Sequence, residues 1–131
     1  MEFLNVLVAA LVAWALGAAY YMTLAKPWMK AAGIPMDANG KPMGNGSPLP
    51  FLLSAIAMVV VAGMMRHVFA ASGVASFGAG LVSGLGIGAF FISPWIMINN
   101  AYAMRPAMLT VIDSGYAILA SGAIGAVLTL F

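Results

Sequence analysis

The chain has no cysteine, one histidine and only 6% charged residues among its 131. Without cysteine there is no disulfide, no thiol chemistry and no thiolate metal site. His67 alone cannot build a His-rich site either, so neither a metal nor a cofactor is expected. A soluble domain carries about 25% charged residues. At 6% this chain has too few to cover its own surface in water. The formal net charge of +2 comes from dispersed basic residues, which form no patch for nucleic acid. β-Branched alternation is missing too, and with it the pattern of a membrane barrel.

What is present is apolar: 64% hydrophobic residues and a mean hydropathy of +1.07. Four runs, at about residues 3–24, 51–70, 77–98 and 107–130, each have the ~20 residues needed to cross ~30 Å of hydrocarbon. Ala, Leu, Met and Gly dominate them, and helices satisfy their own backbone groups in lipid. The expected fold is all-α: a single polytopic membrane domain of four transmembrane helices in an antiparallel bundle. The opening run lacks a basic leader and is long enough to span, so it is expected to stay as a helix. The eleven methionines do not repeat in polar segments and suit packing or contact with lipid.

Residues 26–50 form the one sizeable aqueous loop, rich in Pro, Gly and Asn. Asp37-Ala-Asn39-Gly40 suits a turn, because Asn and Gly tolerate positive φ. The loop is either a binding loop or a plain connector. Lys26, Trp28 and Lys30 at its start fit interfacial anchors, as does Arg66 near the end of the second run, with long cations reaching toward headgroups. The connection at 72–76 is short, which predicts a tight antiparallel hairpin of spans two and three. The connection at 99–106 is short as well, and Pro106 suits the first turn of the last helix. Lys26, Lys30, Lys41 and Arg105 fall on one side and only Arg66 on the other. The positive-inside rule then puts loops 25–50 and 99–106 in the cytoplasm and both termini in the periplasm.

Asp113 is the one acidic residue within a predicted span, about 10 Å into the last helix at ~1.5 Å per residue. An ionised carboxylate at a helix centre costs ~2.5–3.5 kcal/mol on insertion scales, so it must face protein, find donors or take a proton. Depth names Tyr20 and Tyr21 on the first span and Ser93 on the third, Arg105 could reach back, and Asn99, Asn100 and Tyr116 complete the polar cluster. Together they form either a proton or cation site or an interhelical clasp. Pro94 predicts a bend in the third span.

Glycines mark close packing. Gly80, Gly84 and Gly88 recur at four-residue spacing in the third span, the pattern that lets helix backbones approach in lipid. In the last span, Asp113, Tyr116, Ala117, Ala120 and Ile124 share one face, while Gly115, Ile118, Gly122, Gly125 and Thr129 share the opposite one. A peripheral helix needs only one protein-facing side. The second face therefore points to a partner outside the bundle, or to crossings among the chain's own helices. His67 is a weak candidate for a pH sensor. The Gly78–Gly84 run lacks the strand that a dinucleotide fingerprint requires.

Several landmarks carry a family resemblance: Asn5, Leu16-Gly17 followed by Tyr20-Tyr21, and Ala25-Lys-Pro-Trp28-Met-Lys30. Farther on come Asn99-Asn100-Ala-Tyr102 and Ile112-Asp113-Ser-Gly115-Tyr116. With these the chain resembles the DUF1761 family of small bacterial membrane proteins, over all but the Pro/Gly-rich loop. The resemblance implies four transmembrane helices and the same polar cluster, and transfers no catalytic role.

The expected function is non-catalytic. The chain reads as a structural or accessory subunit of the bacterial inner membrane, packing against lipids and against itself or a larger complex. The alternative is a small proton- or ion-coupled transporter or channel built on Asp113.

Overall fold

The structure is a computed structural model describing residues 2–42 and 47–131. The helices are α1 (Glu2–Thr23), α2 (Ala25–Ala32), α3 (Leu49–Ser72), α4 (Phe77–Ile87), α5 (Ser93–Tyr102) and α6 (Ala107–Leu128), with a π-helical turn, Gly88–Ile92, joining α4 to α5. Four of these stretches are long and apolar enough to cross a membrane: Phe3–Thr23, Leu49–Ser72, Phe77–Tyr102 and Ala107–Leu128. The all-helical, four-span architecture is the one that composition demanded.

The arrangement differs from a simple up-and-down bundle. α6 is its centre, packing on α1, on α4, on the π turn and on α5, and touching α2 and α3. It is buried on two sides, through Ala117, Ala120 and Ile124 and through Ser121, Gly122 and Gly125. α3 rests mainly on α1. Spans two and three, although joined by only four residues, therefore splay onto different neighbours, and the hairpin expected from the short connection does not form. α4 packs on α6, and α3 packs on α1, where Ala9, Ala10 and Ala13 are buried.

Glycine explains the preference of α4 for α6. Along the antiparallel crossing of α4 and α6, a methyl group at Gly80 would collide with the Gly125 carbonyl, and one at Gly84 with the Ser121 carbonyl. At Gly88 it would stand 2.5 Å from the Ala117 carbonyl oxygen, and at Gly122 it would stand 2.6 Å from Leu85 Cδ2. Three rungs four residues apart thus bring backbone against backbone, where dispersion is strongest. The glycine face of α6 covers the chain's own third span, so these glycines give no reason to invoke an outside partner. Of the two readings of that face, crossing among the chain's own helices is the one found, because α6 is central and not peripheral. Gly115 departs from the stripe, since Tyr20 of α1 occupies the space its side chain would fill.

The third span widens where proline requires it. Pro94 has no N–H, and its ring would crowd the carbonyl one turn back. The preceding turn opens to π spacing, and both the backbone N–H and the Oγ of Ser93 turn to the Gly88 carbonyl, Oγ at 2.7 Å.

The segment expected to be a loop from residue 26 begins instead as α2. Pro27 falls in its first turn, where its missing N–H costs nothing, and Ala, Met and Lys favour helix. Gly33 at φ 74° ends it, with the Ile34 N–H returning to the Met29 carbonyl. Met29 and Ala31 are buried. Beyond it, Asp37 Oδ1 accepts from the Asn39 and Lys41 N–H groups at 2.8 and 2.9 Å, with Gly40 at φ 77°. Residues 43–46 of the loop lie outside the described residues.

Candidate functional site

The site forms where the ends of α1 and α2 meet α6. Hydrogen bonding runs almost unbroken from α1 into α2, with Leu24 N–H on Tyr20 and Trp28 N–H on Leu24. Leu24 itself sits at φ −102°, ψ 20°. The bend this makes brings Tyr21 and Trp28, seven residues apart, to ring centroids 5.9 Å apart. Both side chains then close on one atom: Tyr21 OH donates to Asp113 Oδ1 at 2.8 Å and Trp28 Nε1 donates to it at 3.1 Å. Oδ2 has no donor among the described residues.

Two tyrosines hold the helices around that carboxylate. Tyr20 OH donates to the Ile112 carbonyl at 2.6 Å, over the gap left by Gly115. Tyr116 OH donates to the Ala13 carbonyl at 2.8 Å, over Gly17. Tyr21 stands between them, its ring 5.2 Å from that of Tyr20 and 5.3 Å from that of Tyr116. Two rings, those of Tyr21 and Trp28, therefore cover one side of Asp113, with Tyr20 and Tyr116 packed against Tyr21.

The other side opens sideways. Because α3 and the π turn with α5 diverge, a cleft of about 450 Å³ runs between them over α6. Asp113, Tyr21 and Tyr116 lie at one end, Met58 and Val61 along the α3 wall, and Ile92 and Ile96 along the opposite wall. Ala117, Ala120, Ser121 and Ile124 form its floor.

Other residues named from sequence lie elsewhere. Arg105 does not reach Asp113; its Nη1 donates to the Ala32 carbonyl at 2.7 Å, placing a cation on the negative end of α2. Asn100 Nδ2 donates to Thr110 Oγ1 at 3.2 Å across the α5–α6 turn, while Asn99 is exposed. Trp28, read as an anchor, is a half-buried donor to the carboxylate; Lys26 and Lys30 beside it are exposed. Arg66 lines a second cleft with His67 between the start of α1 and the end of α3.

Depth along the spans named Tyr21 as a partner of Asp113, but sequence reasoning missed that Trp28 joins it on the same oxygen. Their spacing of two helical turns was the available signal, hidden by treating residue 26 as the start of a loop. It named Asn5 as a landmark of the resemblance but missed its bonding: the side chain is buried and donates to the Leu128 and Phe131 carbonyls at 3.4 and 2.8 Å. That bond ties the start of α1 to the end of α6.

The contacts join separate segments of the resemblance: Gly17 with Tyr116, Tyr20 with Gly115, and Tyr21 and Trp28 with Asp113. No curated protein and no solved structure matches the chain. Residues 4–129 match DUF1761, described as a protein of unknown function, and with almost its whole length covered the chain belongs to that family.

Proposed function

We propose that this protein is a small, non-catalytic carrier of the bacterial inner membrane that couples a proton or cation at Asp113 to a species held in the lateral cleft. The observation that carries this reading is the asymmetry of the carboxylate. Both protein donors converge on Oδ1, while Asp113 lines the cleft and its second oxygen remains to accept from whatever enters. An intramembrane carboxylate costs several kcal/mol unless compensated, and carriers place such groups where a ligand or proton supplies the compensation. The tyrosine hydroxyls around it are already engaged, Tyr20 and Tyr116 on backbone carbonyls and Tyr21 on Asp113. They position the carboxylate and are not poised as nucleophiles.

The test is flux in proteoliposomes with a pH-sensitive dye inside. Asp113→Asn keeps the shape and an acceptor for Tyr21 and Trp28, so the fold persists and proton- or cation-coupled flux disappears. Unchanged flux in a folded Asp113→Asn protein sinks the reading.

A second reading is the accessory subunit, alone as a homo-oligomer or within a larger membrane complex. It is favoured by the divergence of α3 from α4 and α5, which leaves a lateral cleft between them that a partner helix edge or side chain can enter. Gentle purification from native membrane, with mass measurement and identification of any partner, decides for it if a stoichiometric complex comes through.

A further inference from the structure

We infer that the species held at Asp113 is a lipophilic ammonium, a protonated or quaternary amine carrying a single alkyl chain. This rests on the carrier reading and specifies its ligand. Shape, charge and aromatic environment each narrow the choice.

The cleft is long and thin. From Asp113 to Ile124 the cleft follows eleven residue-to-residue steps of α6, roughly 17 Å at ~1.5 Å per residue. Its volume of about 450 Å³ falls within the ~300–1,000 Å³ of small-molecule sites. A helix is ~10 Å across with its side chains, and over that length it displaces several times this volume. A single extended chain fits. The walls beside its path, Met58, Val61, Ile92 and Ile96, are apolar and suit methylene groups.

The polar end selects the head. Asp113 Oδ2 has no donor among the described residues. Arg105, the cation nearest in sequence, is engaged at the end of α2, and Lys26 and Lys30 are exposed. An anionic head is repelled by the carboxylate. A neutral hydroxyl offers one hydrogen bond and leaves the charge uncompensated in a poorly solvated place. An ammonium head supplies both the donor and the countercharge when protonated, and the countercharge alone when quaternary.

The rings agree with the charge. Tyr21 and Tyr116 line the cleft beside Asp113, with Tyr20 packed against both at 5.2 and 5.8 Å between centroids. Aromatic faces attract cations, and grouped rings are the recurring receptor for quaternary ammonium groups.

The experiment uses the full chain in neutral maltoside micelles and a spin-labelled dodecyltrimethylammonium as probe. The same labelled chain with an alcohol head and with a sulfate head provides the comparison. The ammonium probe is expected to show a saturable, motionally restricted fraction at about one per chain. The alcohol should bind at least tenfold more weakly and the sulfate not saturably. Asp113→Asn, with helicity checked by circular dichroism, should weaken the ammonium by about tenfold to a hundredfold, the scale of a charge-assisted contact. Ile96→Trp, which fills the cleft and leaves the carboxylate, should weaken it as well, and decides the matter if Asp113→Asn does not fold. No restricted ammonium, equal binding of the sulfate, or wild-type affinity in both variants overturns the assignment. Flux that needs Asp113 without any ammonium binding removes this ligand and leaves the carrier; loss of neither property in Asp113→Asn removes both.

Discussion

Gly17 of α1 lies directly beneath the hydroxyl of Tyr116: a methyl group at Gly17 would stand 2.7 Å from that oxygen, which donates to the Ala13 carbonyl at 2.8 Å. Gly17→Ala must push the phenol away and break that bond. Tyr116→Phe only deletes the bond. Interhelical hydrogen bonds in membranes average about 0.6 kcal/mol, whereas overpacking costs about 1–3 kcal/mol. Gly17→Ala is therefore expected to lower the detergent melting temperature more than Tyr116→Phe does. An equal or smaller effect of the alanine would show that the socket is slack.

Gly84 and Gly63 form an internal control for the glycine crossing. A methyl group at Gly84 runs into the Ser121 carbonyl, while one at Gly63 meets nothing within 4 Å. Alanine at Gly63 should be neutral or stabilising by up to ~1 kcal/mol through helix propensity. Alanine at Gly84 should destabilise by about 1–3 kcal/mol, because backbone cannot yield as a side-chain tip can. Steric-trap or thermal unfolding in micelles measures the difference. Similar behaviour of the two variants contradicts the crossing.

Arg105→Ala removes the cation from the end of α2. Because the guanidinium is exposed and its acceptor is a single carbonyl, the global cost is small, about 0.3–1 kcal/mol. The local effect should be larger: faster amide exchange across residues 25–32, with the cores of α1 and α6 unchanged. Uniformly faster exchange would mean that Arg105 supports the bundle as a whole.

The cysteine-free sequence makes orientation directly measurable. Lys41 and Ala75 are both exposed, in connections at opposite ends of the spans. With both termini periplasmic, an impermeant maleimide added to spheroplasts should label Ala75→Cys and spare Lys41→Cys until the membrane is opened. The reverse pattern inverts the topology.

The four spans were legible because hydropathy over ~20 residues is a strong, local signal, and Asp113 was conspicuous for the same reason. Partners were not legible. Arg105 looked able to reach back to Asp113, eight residues farther along the chain. Whether it turns toward the carboxylate or toward α2 depends on where α2 folds, and no periodicity in α6 records that. Tyr21 and Trp28 meet only because the chain bends at Leu24, a residue with no breaker signature. The glycines at 80, 84 and 88 announced close packing, but their mate could be identified only once α6 was found at the centre. Pro94 announced a disruption without its form, since the π turn depends on Ser93 reaching back to Gly88.

That α6 occupies the centre has a consequence for synthesis. The ribosome makes the hub after the spokes, so α4 and α5 enter the bilayer before the surface they fit exists, whereas α3 finds α1 already there. Until then, the notch along α4 is filled by acyl chains that must be expelled later. A chain cut short before residue 107 would keep the α1–α3 pair and leave the third span without its partner, a ready target for membrane proteases.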